Sequence, residues 1–210
     1  NEIESTIKGY FDYIDHGWLM KMLKERIADR QVLRLIGKWL KVGVLEEGRI
    51  TRMTGGVPQG GVISPLLANI YLHYVLDLWI TKKVPGMLKG QVHLVRYADD
   101  FVIGCTYRDD ANAVWKMLGD RLKQFGLEIS SEKSRLIGFG RKTYWKNRSN
   151  GRKTGTFDFL GFTHYLTKSR RGSVRLGRKT IGKRMRRTLI DLNDRLRKWR
   201  SALPFKELTN

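Results

Sequence analysis

The chain has 210 residues, enough for one domain with a real core or for a domain with an appendage. Hydrophobic residues make up 41% of it, so it should fold, and no apolar run reaches the roughly 18 residues of a membrane span. A net charge of +21 exceeds what solubility needs and points to a polyanion, because each phosphate neutralised releases counterions.

Most of that charge lies late in the chain: residues 141–200 hold 20 Lys/Arg against 3 Asp/Glu, a net of +17. A solvated basic tail, or a face for anionic membrane, would carry the same charge. The interleaved aromatics Tyr144, Trp145, Phe157, Phe159, Phe162, Tyr165 and Trp199 argue against simple disorder. A nucleic acid, with no membrane, is the expected partner. The one cysteine, Cys105, excludes an internal disulfide and a Cys-based zinc cluster, and its apolar surroundings predict a buried, inert thiol. No secretory signal opens the sequence, and the pattern at Asn1 is that of a chain entered mid-protein; an intracellular setting is expected.

In chain order, loose alternation over residues 2–11 predicts a strand. Asp15 is a candidate cap for a helix with Leu19, Met22, Leu23 and Ile27 on one face. A second helix carries Val32, Leu33, Leu35, Ile36, Trp39 and Leu40, with Gly43 as its stop. Residues 48–61 are turn-rich. Ser64-Pro65 then supplies an N-cap and a first-turn proline, and Leu66, Leu67, Ile70, Tyr74 and Leu78 form the apolar stripe of the helix that follows. Short apolar runs at 93–97 and 101–106 read as a hairpin with acidic residues at its bend. A helix over about 110–125 ends at Gly126; strands are expected at 134–139 and 157–166, with a basic loop or hairpin over 141–156 between them. The segment at about 179–200 spaces Ile181, Met185, Leu189, Leu192, Leu196 and Trp199 as an amphipathic helix with an Arg/Lys opposite face. This order predicts an α+β domain, an antiparallel sheet covered by helices, followed near residue 167 by a basic helical appendage.

Tyr97-Ala98-Asp99-Asp100 is the most informative tetrapeptide. It could be no more than a solvated acidic turn. Two adjacent carboxylates between apolar strands repel each other, however, and a divalent cation relieves that repulsion; Mg²⁺ suits a few carboxylates plus substrate phosphates.

The succession runs from Ile7-Lys-Gly-Tyr-Phe11, through Gly55-Gly-Val-Pro-Gln59-Gly-Gly-Val-Ile-Ser-Pro65 and Tyr97-Ala-Asp-Asp100, to Glu132-Lys133 and Phe157-Asp-Phe-Leu-Gly-Phe162. It resembles the group II intron-encoded reverse transcriptases (maturases), over the palm and the start of the thumb. The resemblance implies a palm over 1–166 and the start of a thumb over 167–210. It implies RNA-directed DNA synthesis with Mg²⁺ or Mn²⁺, a DNA primer on an RNA template, deoxynucleotide triphosphates as substrates, and group II intron RNA as a further partner, in the bacterial cytoplasm. Asp99 would bind the catalytic ions and Asp100 would support it. Phe11 would stand as a gate against the sugar 2′-hydroxyl, although from spacing alone it reads as a core phenylalanine in a strand. Gln59 would line the nucleotide pocket. Lys133 would protonate the leaving pyrophosphate, although alone it reads as a surface charge. Arg170, Arg171, Arg178, Lys179, Lys183 and Arg187 are the nucleic-acid contacts expected of the basic segment.

One position departs from the family. Where its members carry an aspartate five residues before the gate aromatic, this chain has Thr6. Losing one pre-organised charge partner costs on the order of 10²–10³ in rate, and Glu4, on the same strand face, is a poor substitute. Fingers and the remaining thumb are expected to lie outside this sequence, and the chain alone is not expected to polymerise. The competing expectation is a catalytically degenerate, maturase-like protein that holds intron RNA and assists splicing.

Overall fold

In the computed structural model, which describes residues 1–41, 44–46, 49–51, 55–57 and 61–202, two compact units follow one another: Asn1–Gly140 and Arg141–Asn210. The first unit is built on β1 (Glu2–Thr6). Ile3 and Ser5 point into the core while Glu2, Glu4 and Thr6 lie on the other face. The strand expected over 2–11 is only five residues long. Gly9, at φ 54, turns the chain out of the sheet, and residues Tyr10–Asp12 form a 3₁₀ turn. Phe11 therefore sits on a turn rather than a strand.

Asp15 caps α1 (His16–Lys24) as expected, accepting the Trp18 N–H at 2.7 Å, and Leu19, Met22 and Leu23 are buried. In α2 (Arg30–Lys41) only Ile36 and Leu40 are buried, while Val32, Leu35 and Trp39 stay exposed. Its expected stop, Gly43, lies outside the described residues. β2 (Val44–Glu46) and β3 (Arg49–Thr51) form an antiparallel pair, so the stretch expected to be turns contains a strand.

α3 (Ser64–Leu72) has Pro65 in its first turn, but Ser64 is already helical and buried rather than a cap. Its buried residues are Leu67, Ala68, Tyr71 and Leu72, whereas Leu66, expected in the stripe, is 58% exposed. The helix continues through two π-helical stretches, His73–Asp77 and Trp79–Lys83, whose wider turn moves the buried face to Val75, Leu76 and Ile80.

β4 (Val92–Tyr97) and β5 (Asp100–Cys105) form the expected hairpin. α4 (Arg108–Gln124) buries Ala111, Val114, Leu118 and Leu122 and ends before Gly126 at φ 70. β6 (Arg135–Ile137) completes an antiparallel sheet of order β4-β5-β1-β6. α4 packs on β1, β5 and β6, and one core joins Ile3, Phe101 and Ile103 of the sheet to Leu19, Leu67, Tyr71 and Leu118 of the helices. Cys105 is buried there; burial pushes its thiol up to about 11, the inert state expected.

The second unit corrects three expectations. The basic stretch after residue 140 opens with a helix, α5 (Arg141–Ser149). The strand expected over 157–166 is two, β7 (Phe157–Phe159) and β8 (Phe162–Lys168), separated by a bend with Leu160 at φ 51 and Gly161 at φ 82. β9 (Val174–Thr180), whose pattern is masked by arginine and lysine, completes the sheet β7-β8-β9. The last helix, α6 (Gly182–Ala202), has the predicted stripe, but Met185, Leu189, Leu192, Leu196 and Trp199 are all about half exposed. By compactness the chain divides at Gly140, whereas the sequence reading drew its palm–thumb line at 167. No helix among the described residues is long and apolar enough to cross a membrane.

Candidate functional site

The register of β4 and β5 pairs Tyr97 with Asp100 and leaves Ala98 and Asp99 as a two-residue bend. Such bends require positive φ, which favours Asn-Gly or Asp-Gly. Here Ala98 takes φ 52, at a cost of about 1 kcal/mol for a residue with a Cβ. The bend is held by Arg96, whose Nη1 donates to Ala98 O and to Asn69 Oδ1, both at 2.9 Å. Its Nε and Nη2 bind the two oxygens of Asp77, both at 2.7 Å. Sequence reading missed this brace; its only signal was an arginine at an inward position of an apolar strand.

Thr6 lies beside Asp100 across the β1–β5 ladder, and its hydroxyl donates to Asp100 Oδ1 at 2.7 Å. The Thr6 backbone is pinned by Ser130, whose N–H donates to Thr6 O at 2.9 Å, and by the Ser134 hydroxyl, which accepts the Thr6 N–H at 3.3 Å. Glu4 shares the face but is held by Arg135, whose Nε lies 2.7 Å from Glu4 Oε2.

A cleft of about 290 Å³ brings Thr6, Phe11, Asp99 and Lys133 together, with Gly9 and Ser130 also in its wall. Burial pushes the Asp99 carboxyl above its ordinary range; its own backbone N–H opposes this, Asp100 adds to it, and Lys133 opposes it. Phe11 is set by its neighbours on the turn. Tyr10 is buried with its hydroxyl donating to Ala68 O, and the Val57 N–H donates to Phe11 O at 2.7 Å. Gly56, at φ 81, lies against the same turn, where a Cβ would stand 2.7 Å from Phe11 O. The glycine-rich loop is thus anchored to the Phe11 turn; Gln59, three residues on, lies outside the described residues.

The expected nucleic-acid residues are in the second unit, all exposed. Arg170 and Arg171 are at the β8–β9 bend, Arg178 and Lys179 on β9, and Lys183 and Arg187 on α6. Arg178 lies over the Phe162 ring at 6.0 Å and Lys179 over Tyr165 at 5.9 Å.

Among the described residues no group of three or more His, Cys, Asp or Glu could hold a metal ion. Of the acidic pair, Asp99 lines the cleft, while Asp100 stands next to it in sequence with one oxygen accepting the Thr6 hydroxyl. Two carboxylates fit a single hard cation shared with substrate phosphates.

The reverse transcriptase (RNA-dependent DNA polymerase) family model matches residues 4–164. The group II intron-encoded protein LtrA of Lactococcus lactis subsp. cremoris is 49% identical over 36% of this chain and 13% of its own length. Protein YkfC of Escherichia coli (strain K12) is 34% identical over 48% of this chain and 33% of its own. The chain thus spans a third or less of these relatives. Among solved structures, apo telomerase from Candida tropicalis superposes with a TM-score of 0.56 at 15% identity, covering 78% of this chain and 30% of that one. The likeness shows a shared α+β fold.

Proposed function

We propose that this chain, which belongs to the reverse transcriptase family in its group II intron-encoded branch, is the palm and early thumb of an RNA-directed DNA polymerase. Four residues from three separate stretches of the sequence, Thr6 and Phe11, Asp99, and Lys133, line one cleft, and that observation carries the reading. Members of the family use divalent metal ions; here we assign Mg²⁺, with Mn²⁺ as substitute, to Asp99 and Asp100. When bound, the ion supplies charge stabilisation for the attacking and leaving oxygens of nucleotidyl transfer.

In this reading Asp99 holds the reacting end of the site, on a bend fixed by Arg96. Phe11 closes the space beside the incoming sugar and excludes a 2′-hydroxyl. Lys133 donates a proton to the departing pyrophosphate, and Gln59 lines the nucleotide pocket. The basic residues from Arg170 to Arg187 grip the RNA template and DNA primer. The family match ends at residue 164, which supports a palm over 1–166 with the thumb beginning at 167. Relatives in Lactococcus and Escherichia support a bacterial setting, in which we place the chain in the cytoplasm.

Thr6 favours a second reading of this copy: a palm that has lost a metal ligand and serves by holding intron RNA. The deciding test is primer extension on an RNA template, with the chain joined to the fingers and full thumb of a group II intron-encoded reverse transcriptase. Extension after Thr6→Asp but not with Thr6 supports a polymerase disarmed at one ligand. Tight intron-RNA binding by both forms, with extension by neither, replaces it with the RNA-holding reading.

A further inference from the structure

We propose that the hollow between α5 and β8 is a phosphate subsite for a nucleic-acid strand, built by cations other than those of β9 and α6, with Lys179 of β9 adjoining it over the Tyr165 ring. The inference rests on the nucleic-acid reading above but uses residues which that reading leaves unassigned. The hollow, about 250 Å³, is lined by Tyr144, Arg148, Arg152, Lys153, Thr154 and Tyr165.

The end of α5 builds it. Gly151, at φ 65, donates its N–H to Arg148 O at 3.2 Å, and the Arg152 N–H reaches back to Asn147 O at 2.7 Å. This double closure is the glycine-dependent helix stop, and it folds the chain back on itself. Arg152 and Lys153 return beside Arg148, and the Asn147 amide donates to Lys153 O at 3.4 Å. The buried Tyr144 forms the floor, and its hydroxyl accepts one Arg148 N–H at 3.1 Å, so that one of five guanidinium donors is used.

Three cations around one concavity repel each other, and an anion among them removes that cost. Among the described residues none of the three is ion-paired with a carboxylate. The Tyr165 ring forms the other wall. It lies against Gly177, where a Cβ would stand 2.7 Å from the ring, so glycine is what admits it. Cations beside an aromatic face suit a strand, with phosphate on the cations and sugar or base against the ring. The volume is below the roughly 300–1,000 Å³ of pockets that enclose a whole small molecule. It suits one phosphate with its sugar.

The test is binding of a short single-stranded RNA by fluorescence anisotropy across a salt series. The variant Arg148→Gln/Arg152→Gln/Lys153→Gln is compared with a charge-matched control at exposed positions of the first unit, Lys24→Gln/Arg34→Gln/Lys38→Gln, after thermal melting shows both folded. The hollow variant is expected to bind at least about tenfold more weakly. Its salt slope should fall by about 0.7–1.4, one to two phosphate contacts on a single strand. The control should keep both values. Tyr165→Ala should weaken binding several-fold with the salt slope unchanged, and inorganic phosphate at matched ionic strength should leave the RNA bound. Equal losses in the two triple variants, or none in the hollow variant, overturn the subsite while the nucleic-acid reading stands. Displacement of RNA by inorganic phosphate overturns it in favour of a free-anion site. If the unaltered chain binds no RNA, the broader reading falls with it.

Discussion

Ala98 occupies a backbone conformation that suits glycine, and Arg96 is what makes it tenable, tying the bend to Asn69 and to Asp77. Arg96→Leu removes this brace and leaves the Asp77 carboxylate, 25% exposed, without its guanidinium. The expected loss is roughly 2–3 kcal/mol, read as a drop in the urea midpoint with the denaturant slope unchanged. A stability within about 0.5 kcal/mol of the original would show that the brace contributes nothing. Asp99 carries a different signature. Because burial raises its pKa, the folded chain binds that proton more tightly than the unfolded chain, so stability falls as the pH rises through the carboxyl range. Asp99→Asn should therefore melt higher than the unaltered chain at pH 7 in the absence of metal. The gain should shrink as the pH falls through the carboxyl range; a lower melting point at pH 7 would contradict the sign. The acidic pair, Phe11, Lys133 and Thr6 were legible because they stand in motifs. Arg96 was not, since its role depends on a partner 19 residues earlier whose angle is set by a π-helical turn.

Periodicity located most elements, and it failed where a turn interrupted it. The strand expected over 2–11 stops because Gly9 redirects the chain, and the one over 157–166 is cut by Leu160 and Gly161. The stripe of α3 was read on a 3.6-residue period, whereas the π-helical turns after His73 shift the buried face. β9 was missed because arginine and lysine occupy its exposed positions on a sheet with little core. Gly56 tests how firmly the elements around the cleft are joined. A Cβ there would meet backbone atoms, Phe11 O at 2.7 Å and Asp12 O at 2.8 Å, which cannot rotate away, and φ 81 is itself unfavourable for alanine. Gly56→Ala is expected to cost about 2 kcal/mol or more in chemical denaturation. A neutral substitution would mean that the loop is not anchored to the Phe11 turn.

The two units differ in how much they bury. The first has a continuous core from Ile3 to Leu127. In the second, the buried side chains among the described residues are Tyr144 and Phe157, and α6 buries none of its described residues. Backbone amides of α6 should accordingly exchange with deuterium well before those of β1 and β5. Equal protection would require a covering for its apolar stripe. The charge divides the same way, with +17 over residues 141–200 against +21 for the whole chain, so the cleft and the basic surface are built by different parts of the sequence. The claim that joins them is that this palm lacks one metal ligand at Thr6. Its most direct test is a Mn²⁺ titration followed by electron paramagnetic resonance, on the unaltered chain, on Thr6→Asp and on Thr6→Asp/Asp99→Asn. The expected result is weak binding by the unaltered chain, about 10–100-fold tighter binding after Thr6→Asp, and loss of that gain in the double variant. No gain from Thr6→Asp, or a gain that survives the loss of Asp99, would contradict it.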